Sequence, residues 1–331
     1  MIFSRYAVLG SNSFGGAAFV KRALSEGFEV LGFNRSSETS NIFLPYYNLK
    51  ENNKYRFIQA DINHDTDLIM SYLNDFKPEV IVDFSGQGMV AESWDHPEQW
   101  YTTNIVAKVR LHDRLRKCSW LKRFIRISTP EVYGSQECLI SESWQYSPST
   151  PYAVSHAAID MSLRAFFQRY DFPVIFTRFA NFYGPGQQLY RIVPRTIIYA
   201  LLGLRLQLHG GGLSTRAFIY GDDVSDGIMR AASLGNIGDV YHFSPSRFLT
   251  IREIVESICD QLDFPFEKLV DLAPDRPSKD SAYLMDSNRA RTELSWNETF
   301  TFEQGIIATI DWIKGSIDDI KNLPLNYIHK A

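Results

Sequence analysis

Two short stretches of the 331-residue chain carry polar side chains at spacings that imply chemistry. In VLGSNSFGG, residues 8–16, Gly10, Ser13 and Gly16 recur at every third position. Glycine at 10 permits a tight turn, and glycine at 16 lets a helix approach a strand. The N–H groups of the first helical turn then face a diphosphate. Ser13 stands where the usual fingerprint has its middle glycine. In SPSTPYAVSH, residues 147–156, Tyr152 and His156 are four apart, so a helix places them on one face, one turn from each other. Upstream, RISTPEVYG (residues 126–134) closes a strand-like run with Ser128, Thr129 and Glu131.

Further positions extend the first stretch into a dinucleotide site. About twenty residues after a fingerprint of this kind, Asp or Glu selects NAD through the ribose 2′-hydroxyl. Here the segment reads GFNRSS, with Asn34, Arg35 and Ser36. A guanidinium with neighbouring hydroxyls suits a 2′-phosphate, so NADP is favoured over NAD, unless Arg35 only stacks on adenine from a solvated loop. Asp61, in QADIN, is placed to accept a hydrogen bond from the adenine amino group; a helix N-cap is the other reading.

The elements that must position these residues are legible as alternation. Strand-like runs at Tyr6–Leu9, Glu29–Phe33, Tyr55–Gln59, Val80–Phe84, Arg123–Ser128 and Val174–Phe179 are separated by amphipathic stretches at Gly15–Glu26, Thr66–Asp75 and Pro97–Lys117. That alternation predicts βαβ units, an α/β fold of the Rossmann type with a doubly wound parallel sheet. After residue 180 Gly and Pro become denser, which predicts a smaller mixed α/β cap for substrate. The expected division is 1–179 with 216–245 for the dinucleotide domain, and 180–215 with 246–325 for the cap. Arg216–Tyr220 is expected as one strand, and the residues from about Asp318 as a loosely held tail.

Composition narrows the function. With 45% hydrophobic and 22% charged residues the chain is globular, and a net charge of −4 argues against nucleic acid as its partner. The longest apolar candidate, Ile197–Leu208, is broken by Gly203 and Arg205, so no membrane span is expected. The N-terminus does not read as a signal peptide. Three widely spaced cysteines, Cys118, Cys138 and Cys259, suggest buried thiols in a reducing cytoplasm and no metal site.

Taken together the motifs resemble the extended short-chain dehydrogenase/reductase family, closest to its nucleotide-sugar 4,6-dehydratases. STPEVYG is similar to S-T-x-E-V-Y-G, NFYGPGQQ to N-x-Y-G-P, and STRAFIYGDDV to R-x-F-x-Y-V-x-D. GQGMVAESWDHPEQWYTTN is similar to the stretch after the fourth strand, and PDRPSKDSAYLMDSNRARTELSW to the dehydratases' R-P-G-H-D-x-x-Y-x-x-D.

The resemblance implies an NAD(P)-dependent enzyme that oxidises C4 of a nucleotide-diphosphate sugar, eliminates water across C5–C6 and returns hydride to C6. A C4 epimerase, a C4 dehydrogenase and a binding protein without turnover are the alternatives. It assigns Tyr152, His156, Thr129 and Glu131 to catalysis, Glu131 as the base for the C5 proton. It assigns Gly10, Ser13, Phe14, Gly16, Asn34, Arg35, Ser36, Asp61, Ile62 and Ser85, with Tyr152 and His156, to the cofactor. Gln87, Ser128, Asn181, Arg191, Arg216 and Arg276 fall to the substrate, with Tyr283 and Asp286 as weaker candidates. It also implies a homodimer through the helices Pro97–Lys117 and Val154–Tyr170.

Two positions depart from the pattern. Pro130 replaces the Asp or Ser that often lies between Thr and Glu, which leaves the acid for the C6 hydroxyl unassigned. His156 replaces the Lys whose charge stabilises the phenolate. A neutral imidazole lends little charge, so the nicotinamide's positive charge is expected to provide most of it. On that reading, His156→Lys keeps or raises turnover.

Overall fold

Strands and helices alternate as the sequence predicts. The computed structural model of the protein describes residues 3–274 and 282–330. The first half runs β1 (Arg5–Leu9), α1 (Phe14–Ser25), β2 (Glu29–Asn34), β3 (Tyr55–Gln59), α2 (Thr66–Phe76), β4 (Val80–Asp83), α3 (Pro97–Tyr101), a π-helical stretch (Thr102–Ala107), α4 (Lys108–Leu115), β5 (Arg123–Ser128), α5 (Pro151–Tyr170) and β6 (Val174–Phe179). The second half runs β7 (Asn181–Tyr183), α6 (Ile192–Leu202), β8 (Leu206–His209), β9 (Thr215–Arg216), β10 (Phe218–Tyr220), α7 (Gly221–Leu234), β11 (Val240–Phe243) and β12 (Leu249–Thr250). It ends with α8 (Ile251–Leu262), α9 (Phe266–Leu269), β13 (Val270–Ala273), α10 (Asn288–Leu294), α11 (Phe302–Gly315) and α12 (Ile317–Ile320).

Seven strands form one sheet in the order β11-β6-β5-β4-β1-β2-β3, every neighbouring pair parallel. A parallel sheet covered by helices on both sides needs strands that are apolar on both pleat faces. β1 meets this by parity. Tyr6 and Val8 join the core layer built with α1 and α7, while Ala7 and Leu9 join the layer built with α2, α4 and α5. The strand order reverses at β1, which has β2 on one side and β4 on the other, and ligands of such sheets bind at that crevice.

The cap has its own cores, one joining α6, α8 and α11 and one joining β8, α8 and β13. The expected strand Arg216–Tyr220 is two pieces. β9 pairs antiparallel with β12, and β10 pairs parallel with β7, so its ends serve different partners. The segment after residue 318 is not loose. Ile320 is buried in the cap core, and Leu323 and Leu325 pack against it. The thiols are free, and only Cys259 is buried; Cys138 is exposed. Among the described residues no helix is long and apolar enough to cross a membrane.

Candidate active site

The β1–α1 turn is closed by its own backbone and one hydroxyl. Gly10 has φ +80°, and a Cβ there would sit 2.9 Å from the Phe84 carbonyl carbon. A Cβ on Gly16 would sit 2.2 Å from the Gly10 oxygen, so the helix can start this close to the strand only with glycine. Ser13 is the N-cap of α1: its Oγ accepts from the Gly16 N–H at 3.1 Å and donates to the Gly10 carbonyl at 2.7 Å. The first intrahelical bond is Ala17 N–H to Ser13 oxygen, 2.7 Å. The N–H groups of Phe14 and Gly15 precede it and are left for a ligand, which is the fit a dinucleotide phosphate requires.

Two loops border that turn. The Asn12 amide, which the sequence reading passed over, donates to the carbonyls of Ser36 and Ser37 at 3.3 and 3.1 Å and ties the turn to the loop after β2. Asn34 also donates to the Ser36 carbonyl, 3.2 Å, so Asn34 and the Ser36 carbonyl hold the loop's shape. Asp61 is not the cap of α2, whose N-cap position is Asp65. Its Oδ1 instead accepts from the Asn63 N–H at 2.8 Å, fixing the turn beside buried Ile62.

After β4, Ser85 is held from below. Lys108 donates to Asp83 Oδ2 and to the Ser85 carbonyl, both at 2.7 Å, and Asp83 Oδ1 accepts from the Ser85 N–H and hydroxyl at 3.1 and 2.5 Å. The π-helical stretch presents Asn104, a residue the sequence reading missed. Its Oδ1 accepts from the Gln87 N–H at 2.8 Å, while its Nδ2 donates to the Gln87 carbonyl at 3.1 Å and to Ser155 Oγ at 3.0 Å. Single π turns inside α-helices often mark functional sites. This one fixes Gln87 and, through the Ser155 hydroxyl's 2.7 Å bond to the Tyr152 carbonyl, the start of α5.

The candidate catalytic side chains come together, with Tyr152 and His156 on one helix face as their spacing predicts. Thr150 caps α5, accepting from the Ala153 N–H at 3.1 Å, with Pro151 at the first helical position. Tyr152 and His156 follow on one face, ring centroids 4.5 Å apart. Thr129, buried, opens a 3₁₀ turn over Pro130–Tyr133 and accepts from the Glu131 N–H at 3.3 Å. Pro130 fills a position where its missing N–H costs nothing. Burial and then the Glu131 carboxylate push the Tyr152 phenol well above its usual range; a hydrogen bond to Thr129 and the charges of Arg191 and Arg126 pull it down. Thr129, Glu131, Tyr152, His156 and Arg191 therefore share one locus.

Beneath them lies a buried ionic network that the sequence reading did not anticipate. Asp160 accepts from Arg126 Nε at 3.1 Å, Ser128 Oγ at 2.6 Å and Arg178 Nη2 at 3.4 Å. Ser128, expected at the sugar, thus gives its proton to this network. Arg178 also reaches the hydroxyls of Tyr133 and Tyr146. Arg126 Nη2 lies 3.0 Å from His156 Nδ1. Burial, then the charges of Arg126 and Lys108, hold the imidazole pKa well below its usual value.

The remaining substrate candidates lie on the cap side. Asn181 opens β7, Arg191 precedes α6, and the Arg216 guanidinium lies over the Tyr283 ring at 4.6 Å. Asp286 accepts from the Asn288 N–H at 2.9 Å and so shapes the start of α10. Arg276 lies outside the described residues. The segment 326–330 crosses between the two sides. Asn326 accepts from Arg195 at 3.2 Å, Tyr327 meets the Tyr190 ring edge-on, and His329 stacks on Trp100 and bonds Gln99 at 2.7 Å. The Lys330 carbonyl accepts from both Arg35, 3.0 Å, and Gln87, 2.9 Å.

Comparison with known proteins identifies the family. The family model described as GDP-mannose 4,6 dehydratase matches residues 8–309. A dTDP-glucose 4,6-dehydratase of Xanthomonas campestris is 30% identical over 326 residues, covering 93% of this chain and 92% of its own. One of Escherichia coli is 30% identical, covering 92% of each chain. A dTDP-glucose 4,6-dehydratase from Streptomyces venezuelae, solved with NAD and TYD bound, superposes with a TM-score of 0.88 at 27% identity, covering 95% of this chain and 98% of that one. A Thermotoga maritima UDP-glucose 4-epimerase at 22% identity shares the fold, TM-score 0.86, covering 95% of this chain and 99% of that one. The chain belongs to the GDP-mannose 4,6 dehydratase family, within the nucleotide-sugar dehydratases and epimerases of the extended short-chain dehydrogenases/reductases.

Proposed function

We propose that the protein is a nucleotide-sugar 4,6-dehydratase. The observation that carries this reading is Glu131 beside Tyr152, close enough for its charge to oppose ionisation of the phenol. A C4 epimerase or dehydrogenase needs one base at the C4 hydroxyl, whereas elimination needs a second at C5. Tyr152 takes the C4 hydroxyl proton while Thr129 hydrogen-bonds the reacting oxygen. A nicotinamide dinucleotide held at the β1–α1 turn would supply the hydride acceptor for C4 and the donor for C6. The C4 ketone acidifies the C5–H bond, and Glu131 removes that proton. Pro130 has no proton to give, so the acid formed on Glu131 protonates the C6 hydroxyl as it leaves as water. Arg191 and Arg216 suit the diphosphate oxygens.

The cofactor we assign is NAD, against the preference for NADP drawn from Arg35 and Ser36. The Arg35 guanidinium already donates to the Lys330 carbonyl, and a 2′-phosphate would compete for it. Relatives of known structure hold NAD. We also assign a homodimer. Tyr101 and Val106 on the α3–α4 helix, and Val154 and Met161 on α5, are exposed apolar side chains suited to helix pairing.

Incubation with a panel of nucleotide sugars, followed by mass analysis, tests the reaction. Loss of one water supports elimination. Unchanged mass with a new epimer supports the second reading, which Pro130 favours. Glu131→Gln should reduce elimination by about 10²–10⁴-fold while C4 oxidation persists, seen as accumulating reduced cofactor.

A further inference from the structure

Tyr152 must ionise in surroundings that resist ionisation, and the position where relatives carry a cationic Lys holds His156. The groups facing the pair are few. Glu131 faces Tyr152 and opposes the phenolate, while Arg191 and Arg126 favour it; Arg126 and Lys108 face His156. Arg191 is exposed at the cap edge, so solvent screens it, and a substrate diphosphate would neutralise it. Lys108 is spent on Asp83 at 2.7 Å. Arg126 is different. It is 1% exposed, and its carboxylate partner, Asp160, is shared with Arg178. Asp83 also faces Arg126, so among the described side chains of this network Arg126, Arg178 and Lys108 answer to Asp83 and Asp160, which leaves one positive charge uncompensated beneath the pair.

The contact between Arg126 and His156 also has only one chemical sense. A guanidinium has donors and no acceptor, and it stays protonated. At 3.0 Å from Arg126 Nη2, His156 Nδ1 must therefore present its lone pair. The ring is neutral and its proton is on Nε2.

We propose that Arg126 is a positioning residue for the reaction: it locks His156 as the neutral Nε2–H tautomer and supplies, from the adjacent strand, the fixed positive charge that relatives place on a Lys at position 156. The inference rests on the dehydratase reading only in requiring an ionised Tyr152. The division of labour separates two tasks that one Lys performs. His156 Nε2–H donates a hydrogen bond, and Arg126 carries the charge. It also reverses the expectation for His156→Lys, because an ammonium there would pack against Arg126 with Lys108 nearby.

Two measurements decide this. In the wild-type holoenzyme, ¹⁵N-histidine NMR, assigned with His156→Gln, should show His156 as the Nε2–H tautomer with no titration across neutral pH. A ring that titrates near its ordinary value, or carries its proton on Nδ1, overturns the proposal, and this readout needs no substrate. The pH dependence of kcat is then compared for wild type, Arg126→Gln, His156→Lys and the double variant. Arg126→Gln should move the alkaline rise up by about one unit or more, as loss of a nearby opposite charge does. His156→Lys alone should lose activity, and the double variant, with a single cation restored, should exceed both singles at neutral pH. A merely structural Arg126 would not be rescued by a Lys at 156. His156→Lys matching wild type, with an unshifted Arg126→Gln profile, overturns the assignment. Should Arg126→Gln fail to fold, Arg126→Lys takes its place: an unshifted rise supports the charge role, and a rise displaced as far as a full charge loss would give overturns it. Failure of every protein to turn over any nucleotide sugar sinks the function reading, while the NMR result still decides this one.

Discussion

The β1–α1 turn and the junction of β5, β6 and α5 hold their polar groups in place by opposite means. The turn is local. Residues 10–17 close on each other through backbone bonds and through Ser13, which bonds three residues away in both directions, while Asn12 ties the closed turn to the loop after β2. The junction is non-local. Arg126, Asp160 and Arg178 come from three elements and meet where all are almost wholly buried. The turn orients N–H dipoles and needs only space, whereas the junction holds full charges out of water. Buried charge is stable only while every partner is present. Single substitutions should therefore be graded and separable at the turn but large and coupled at the junction.

The largest expected effect is at the centre of the junction. Asp160→Ala leaves two buried guanidiniums facing each other without a carboxylate, which should cost about 3–5 kcal/mol. Denaturant unfolding measures it. A loss under about 1 kcal/mol would mean that the charges are solvated and the contrast between the regions is false. The matching substitution at the turn is Gly16→Ala. Its Cβ would lie 2.2 Å from the Gly10 oxygen, so the helix start must shift, at about 1–3 kcal/mol for overpacking. Because the shift moves the Phe14 and Gly15 N–H groups, dinucleotide binding should weaken more than stability does. Calorimetric titration beside thermal melts separates the two.

The same contrast explains what was readable in the chain. The sheet, the glycine turn and the Tyr152–His156 pair depend on short periods and local turn chemistry, so the residues announce them. Arg126 and Asp160 are 34 positions apart, and each alone reads as an ordinary strand or helix charge. Asn104 acts through a π turn, which breaks the 3.6-residue period that a helix is recognised by. The tail was misread because it packs without periodicity. His329 finds Trp100, and Lys330 finds Arg35, 295 residues away, through contacts no local pattern encodes. The bond of the Ser128 hydroxyl to Asp160 was hidden for a similar reason: its carboxylate partner lies 32 residues on.

The tail links the two regions and tests them together. Removing the residues from Asn326 onward frees Arg35 and Gln87 of the Lys330 carbonyl. One hydrogen bond to a carbonyl is worth about 1 kcal/mol, so affinity for NADP relative to NAD should rise by up to about fivefold. Competitive binding of the two dinucleotides reads this directly. An unchanged ratio would separate the tail from cofactor choice.

The smallest effect is the most specific test of the turn. Ser13 sits where a family fingerprint has glycine, and two roles are open to its hydroxyl: a ligand for phosphate or a helix cap. The geometry makes it a cap, since Oγ is bonded to both the Gly16 N–H and the Gly10 carbonyl. Alanine at an N-cap loses that bond and typically costs about 1 kcal/mol, whereas glycine there costs only a few tenths. Ser13→Ala should therefore lower the unfolding midpoint measurably and Ser13→Gly barely, while both keep dinucleotide affinity within about twofold, because the phosphate-facing N–H groups belong to Phe14 and Gly15. If both variants lose affinity equally and neither loses stability, the hydroxyl is a phosphate ligand. The turn would then depend on a side chain for its chemistry as the junction does.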